Sequence, residues 1–259
     1  MLGLSSSLTG PKKPLYGKAN SATTFTSSSS DYISLSNHTD FQVKSAAGVA
    51  SDFSVCGWIK IGEDATGSSN KDGYILLKAG AFRGNGFYID YKDDSGDDEH
   101  FRVVTNTGGS DNMESTANIA HDTWYHFAFT YDVSATTGKI YIDGSLDKTD
   151  TGLSAPGQYT GDIHVGSSNT GSKFVSSVTS DIAFWKGAVL TDREVLSLAQ
   201  RECSPLQLES DSLKAWWPLD EESETGTDNV LDMSGNGHHG TSSGLADSDF
   251  DTTDSPTGI

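Results

Sequence analysis

The chain has 259 residues, and its 36 acidic against 17 basic side chains give a formal net charge of −19. Such a field repels phosphate backbones and anionic lipid surfaces, which excludes nucleic acid and membrane as ordinary partners. Only two cysteines are present, Cys56 and Cys203, too few for a disulfide framework, and no stretch approaches the ~20 apolar residues of a membrane helix. The 28 glycines, abundant Ser and Thr and scattered aromatic residues suit short strands joined by turns, so the expected class is all-β.

Residues 1–30 are rich in Ser, Thr, Gly and Pro, contain the run Ser27-Ser28-Ser29-Ser30, and read as an N-terminal arm. Residues 1–14 show no basic segment followed by an apolar one, so no secretory signal is expected. Alternation then predicts strands at 31–35 and 53–61, the second with Phe53, Val55, Gly57, Ile59 and Ile61 on one face and Trp58 on the other. Residues 74–78, 86–91 and 101–105 follow as short strands, the last two joined across the acidic turn 93–98. Residues 123–131 form the strongest strand pattern. Asp143-Gly144 between 139–142 and 145–146 predicts a tight primed hairpin turn. Further strands are expected at 162–166 and 178–185. Thr191 and Glu194 form a capping-box signature, and Val195, Leu196, Leu198 and Ala199 give the short helix that follows, through Gln200, one apolar face.

Several of these stretches together resemble the laminin-G-like, concanavalin A-like jelly-roll family: Phe53-Ser54-Val55-Cys56-Gly57-Trp58-Ile59, Trp124-Tyr125-His126-Phe127-Ala128-Phe129, Lys139-Ile140-Tyr141-Ile142-Asp143-Gly144, and Asp181-Ile182-Ala183-Phe184-Trp185. The resemblance covers about residues 25–203 and implies a two-sheet β-sandwich with one short helix in its C-terminal half. The segments 213–220 and 231–240 resemble the part that usually begins such a domain, yet here they come last. The expected organisation is therefore an arm at 1–30, a sandwich at 31–203, and a segment at 204–259 that either completes the sandwich or reaches a neighbouring subunit.

The family's fold serves lectins, adhesion modules, hydrolases and phage structural proteins, so function must be argued from sites. The hydrolases of this class resemble one another in a strand carrying spaced carboxylates. The nearest approach here, Glu209-Ser210-Asp211, lacks the second glutamate, and no catalytic residue is assigned. Trp58, Trp185, Trp216 and Trp217 are the candidates for sugar contact or a subunit interface, whereas Trp124 is expected in the core. Adjacent Trp216 and Trp217 must face opposite ways on a strand.

Asp232, Ser234, Asn236 and Gly237 fall where an EF-hand loop places its first ligands, but no glutamate stands at the twelfth position. The alternative is a turn in which Asp232 bonds its own backbone. In related sandwiches a structural Ca²⁺ is held by this turn and the strand of Asp181, which implies Asp181, Asp232, Gly235 and Asn236 as metal residues. His238-His239 reads as a surface loop pair. The leading expectation is a non-enzymatic phage capsid or tail component, located in the virion and contacting copies of itself or other virion proteins. The first alternative is an extracellular module that binds a glycan, and the second is an atypical polysaccharide hydrolase.

Overall fold

The computed structural model describes residues 22–62, 73–80, 85–94, 98–106, 111–168, 171–220, 226–250 and 254–256. The alternating segments pair into two antiparallel sheets. The first contains β1 (Thr23–Phe25), β3 (Phe53–Ile61), β8 (Trp124–Asp132), β9 (Thr137–Ile142), β10 (Ser145–Thr151), β12 (Ser177–Lys186) and β13 (Leu213–Trp217). The second contains β2 (Tyr32–Leu35), β4 (Gly73–Ala79), β5 (Gly86–Asp94), β6 (Asp98–Asn106), β7 (Asp111–Glu114), β11 (Ile163–Val165) and β14 (Gly240–Ser243). In the first sheet the order is β1-β12-β3-β8-β9-β10, with β13 also on β12; in the second it is β14-β2-β11-β4-β5-β6-β7.

The core lies between the sheets, and period-two patterning supplies it. Phe53, Val55, Ile59 and Ile61 of β3 point inward as expected, against Phe87 of the other sheet, whose ring centre lies 4.8 Å from that of Phe53. Asp143 and Gly144 adopt φ of 51° and 75°, the left-handed pair that a primed hairpin turn requires. The helix α1 (Asp192–Ala199) starts at a complete capping box, Thr191 with Glu194, and buries Val195, Leu198 and Ala199. Both cysteines are free thiols.

The N-terminal boundary of the sandwich shifts. Thr23–Phe25, placed in the arm by composition, is a strand on β12, and Phe25 is in the core. The polar run hid it because a three-residue strand with one large apolar side chain carries almost no periodicity. Within the rest of the expected arm, Ser27–Ser29 form a 3-10 turn, and residues 1–21 lie outside the described residues, as does the tip of the acidic turn.

At the other end the C-terminal segment closes the sandwich in cis. Strand β13 pairs with β12 and β14 pairs with β2. Trp217, Leu219, Val230, Leu245 and Phe250, the last in the short helix α2 (Asp247–Phe250), join the main core. Removing one large buried aromatic side chain costs roughly 3–5 kcal/mol. Losing all of these exceeds the roughly 5–15 kcal/mol that holds a whole domain. A chain ending at Ser204 is therefore expected to lose its fixed tertiary structure; a cooperative urea transition with native near-ultraviolet circular dichroism in that truncated chain would contradict closure in cis.

Candidate functional site

The two outer faces of the sandwich differ. On the first sheet, Cys56, Ala128, Tyr141, Ala183, Trp185, Leu213 and Trp216 are covered by α1 and its flanking segments through Leu190, Val195, Leu198 and Leu208, which makes a second apolar layer. Trp58 lies on that side too, 2% exposed, edge-on to His126 and beneath the Arg201 guanidinium. Trp217 faces the other way, into the main core. The opposed pair is thus as expected, but Trp58, Trp185, Trp216 and Trp217 are all buried, and none offers a face to a sugar or a neighbouring subunit. Trp124, expected in the core, is instead half-buried, and its Nε1 donates to Asp254 Oδ1 at 2.9 Å.

Asp181 is buried at a break in β12 with φ 54°. Its carboxylate accepts from Arg201 at 2.9 Å, Trp216 Nε1 at 3.1 Å and Ser180 Oγ at 3.0 Å. Asp232 accepts the backbone N–H groups of Trp216, Ser234 and His238 at 2.8–3.0 Å and the Ser234 hydroxyl at 2.9 Å. The Asn236 amide donates to the carbonyls of Leu213 and Lys214. A hard cation needs oxygen lone pairs turned toward it. Here the lone pairs of Asp181 and Asp232 face N–H and O–H donors, and Asn236 presents its amide N–H groups rather than its oxygen. With Gly235 at the tip of the turn, φ 91°, the expected set does not fit a calcium site; its geometry is that of the alternative, an Asp232 turn.

The outer face of the second sheet carries no helical layer among the described residues. Pairing aligns Ser34, His164, Leu77, Tyr88, Val104 and Asn112 in one row across it. Beside this row, Tyr74, Asp90, Arg102 and Glu114 form another. Tyr32 lies 5.7 Å from His164 and 6.4 Å from Phe174 between ring centres, and Tyr74 meets Tyr88 edge-on at 5.0 Å. All of these rings are half-buried. His164 Nδ1 is buried without a hydrogen-bond partner, while burial lowers the affinity of the ring for a proton, so a neutral imidazole faces this strip. Sequence reading passed over these residues because it looked for tryptophan, yet the alternating outward positions of β2, β4 and β5 were the available signal.

Carboxylates on this face are committed to cations. Asp90 receives both Arg102 Nε and Nη2, and Glu114 pairs with Lys92 at 3.0 Å. Glu209 and Asp211 stand exposed in the turn before β13, where their backbone carbonyls accept Ser212 N–H and the Lys214 ammonium. Neither arrangement has the two facing carboxylates of a glycosidase.

Two outcomes follow. Removing the Asp232 carboxylate (Asp232→Ala) strands four donors and is expected to cost roughly 2–4 kcal/mol of stability, whereas calcium and a chelator should leave the melting temperature equal. A calcium-dependent rise that Asp232→Ala abolishes would overturn the hydrogen-bonded assignment. Burial, helped by the Arg201 charge, pushes the His126 imidazole down to about 3. The unfolded chain therefore binds the proton more readily, so this stability is complete above about pH 6.5 and is lost by about 1.4 kcal/mol per unit as pH falls from there toward 3. His164 contributes with the same sign. Asp181, raised by burial against the pull of Arg201, opposes them in the carboxylate range. Urea titrations at pH 7.5 and 5.5 should show the loss, and His126→Gln should lessen it; equal loss in that variant would refute the assignment.

No curated protein matches the chain by sequence. Among solved structures, a candidate carbohydrate-binding protein from Bacteroides ovatus ATCC 8483 superposes with a TM-score of 0.64 at 16% identity, over 86% of this chain and 58% of that one. This chain thus spans little more than half of that protein's length. A heptameric SAP-like pentraxin from Limulus polyphemus gives a TM-score of 0.45 at 19% identity, over 65% and 81% of the two chains. Domain 4 of AbnA, an extracellular arabinanase from Geobacillus stearothermophilus, in complex with arabinotriose, gives 0.44 at 18%, over 59% and 68%. Residues 27–196, well over half of the chain, match the laminin G model of the concanavalin A-like lectin/glucanases superfamily, and with the two-sheet sandwich this places the chain in that family.

Proposed function

We propose that this chain is a non-catalytic, lectin-like domain that binds a neutral glycan on the outer face of its second sheet. The observation that carries the reading is the strip of half-buried rings, Tyr32, Phe174, His164, Tyr88 and Tyr74, flanked by the Asp90–Arg102 pair and by His164 Nδ1. Sugars present apolar C–H faces that stack on aromatic rings and hydroxyls that need polar partners, and this strip supplies both. On the first sheet Trp58, Trp185 and Trp216 are buried beneath α1 and its flanking segments, so these rings cannot serve. The net charge of −19 disfavours polyanionic glycans at long range, which leaves neutral ones. The Bacteroides likeness supports a carbohydrate ligand to the extent of its shared fold.

The expectation of a virion component drew on a resemblance to phage structural proteins and on the lack of a secretory signal, and it gave the tail a role in subunit contacts. That tail is used in cis, so the glycan-binding alternative leads. The ion-paired Asp90 and Glu114 do not form a facing carboxylate pair on this strip, which supports binding without turnover there.

A panel of neutral polysaccharides tested by affinity electrophoresis and calorimetry should yield a binder that releases no new reducing ends. Tyr32→Ala and Tyr88→Ala should each weaken it by about tenfold, equivalent to about 1.4 kcal/mol. Failure of the whole panel, or affinity unchanged in both variants, would refute this face as the site.

A further inference from the structure

The two ends of the chain bring together a cluster that neither sequence segment announces. His38 and Asp40 lie at the start of a 3-10 turn (Thr39–Phe41) just after β2, and His238 follows the Asp232 turn. Asp40 Oδ2 is 2.9 Å from His238 Nε2 and 3.1 Å from His38 Nδ1, and the three atoms lie within 4.8 Å of one another. His38 Nδ1 already accepts the Asp40 backbone N–H at 3.2 Å, which leaves that nitrogen without a proton to give the carboxylate. A lone pair therefore meets a lone pair, and a cation between them removes the repulsion.

We propose that His38 Nδ1, Asp40 Oδ2 and His238 Nε2 form a site for one divalent transition-metal ion, with zinc the best match in ligand type. Tetrahedral ligands at roughly 2.0–2.1 Å from zinc stand about 3.3–3.4 Å apart, so these atoms need only small movements. Two imidazoles and a single carboxylate favour such an ion over calcium, which takes six to eight oxygens. Three protein ligands leave a fourth position open, and beside the cluster is a cleft of about 210 Å³ lined by Leu35, Asn37, Asp228 and His239, room for water or a small ligand.

The surroundings position the ligands. The ring of His238 packs edge-on to Phe41 at 4.7 Å; its backbone N–H goes to Asp232 and its carbonyl accepts Trp217 Nε1 at 2.8 Å. Lys186 and Lys214 are the nearby cations, and each ammonium is bonded to a carbonyl, of Thr39 and Asp211 respectively. The site spans 198 positions of sequence between Asp40 and His238, so an ion there fastens the C-terminal segment to the opening of the sandwich.

The test is titration of the untagged, metal-stripped full chain with Co²⁺, followed by visible absorption, and with Zn²⁺ by calorimetry. The expected result is one equivalent bound, a tetrahedral cobalt spectrum, and a higher melting temperature with zinc. His38→Ala and Asp40→Asn, at partly exposed positions, should keep the circular dichroism and weaken binding at least tenfold. No binding tighter than millimolar by the parent chain, or equal binding by parent and both variants, would overturn the site. Neither result depends on glycan binding.

Discussion

One edge of β12 carries two partner strands, and the rest of the molecule is arranged around that sharing. Strand β1 occupies the part from Ser177 to Thr179, and β13 the part from Ile182 to Trp185. At the changeover the pairing with β3 also slips, between Ser180 and Ala183. A gap in a ladder leaves backbone groups that must find other partners. Pro218 O accepts the Asp181 N–H and the Ser180 hydroxyl, and Leu219 O accepts Thr23 Oγ1. Asp181 takes a left-handed conformation that side-chain-bearing residues rarely adopt. Arg201, just past α1, and Trp216 of β13 hold its buried carboxylate. Removing one such partner would leave a charge buried and uncompensated.

That junction also decides which face is left for function. The chain must travel from the end of β12 to the start of β13, two neighbouring strands, and it does so over the outside of the first sheet with α1 on the way. The crossing buries Trp58, Trp185 and Trp216, while β13 turns Trp217 inward. Every tryptophan that composition marked as a possible platform is therefore consumed by closure of the fold. The second sheet has no such crossing among the described residues, so its outward tyrosines stay half-exposed among charged pairs.

Much of this architecture was legible because it is local. The strand at 53–61, the Asp143-Gly144 turn and the Thr191 capping box each depend on a few neighbouring residues, and each forms where its pattern lies. What was not legible depends on long-range placement. Thr23–Phe25 becomes a strand only because β12 offers it an edge, and Trp124 is drawn outward by Asp254. Asp232 and Asn236 carry the residue types of a cation loop, yet donors from Trp216 and His238 and acceptors at Leu213 and Lys214 satisfy them instead. The His238-His239 pair shows the same limit. The two side chains do diverge, His239 Nδ1 accepting the Asp232 N–H and His238 reaching Asp40, a partner no local pattern could name.

Strand β2 ties the two proposed sites to one frame. It is held on both sides, by β11 and by β14, and Ile33 and Leu35 anchor it in the core. Tyr32 stands on its outward face, while His38 follows its end by three residues. A side chain on a strand clamped in this way loses little further freedom when a ligand arrives, which lowers the ordering cost that otherwise subtracts from affinity. The strand that clamps it on one side, β14, comes from the C-terminal segment, as does His238. Closure of the sandwich by its last residues thus both stiffens the sheet that bears the ring strip and completes the His–Asp–His cluster at its margin.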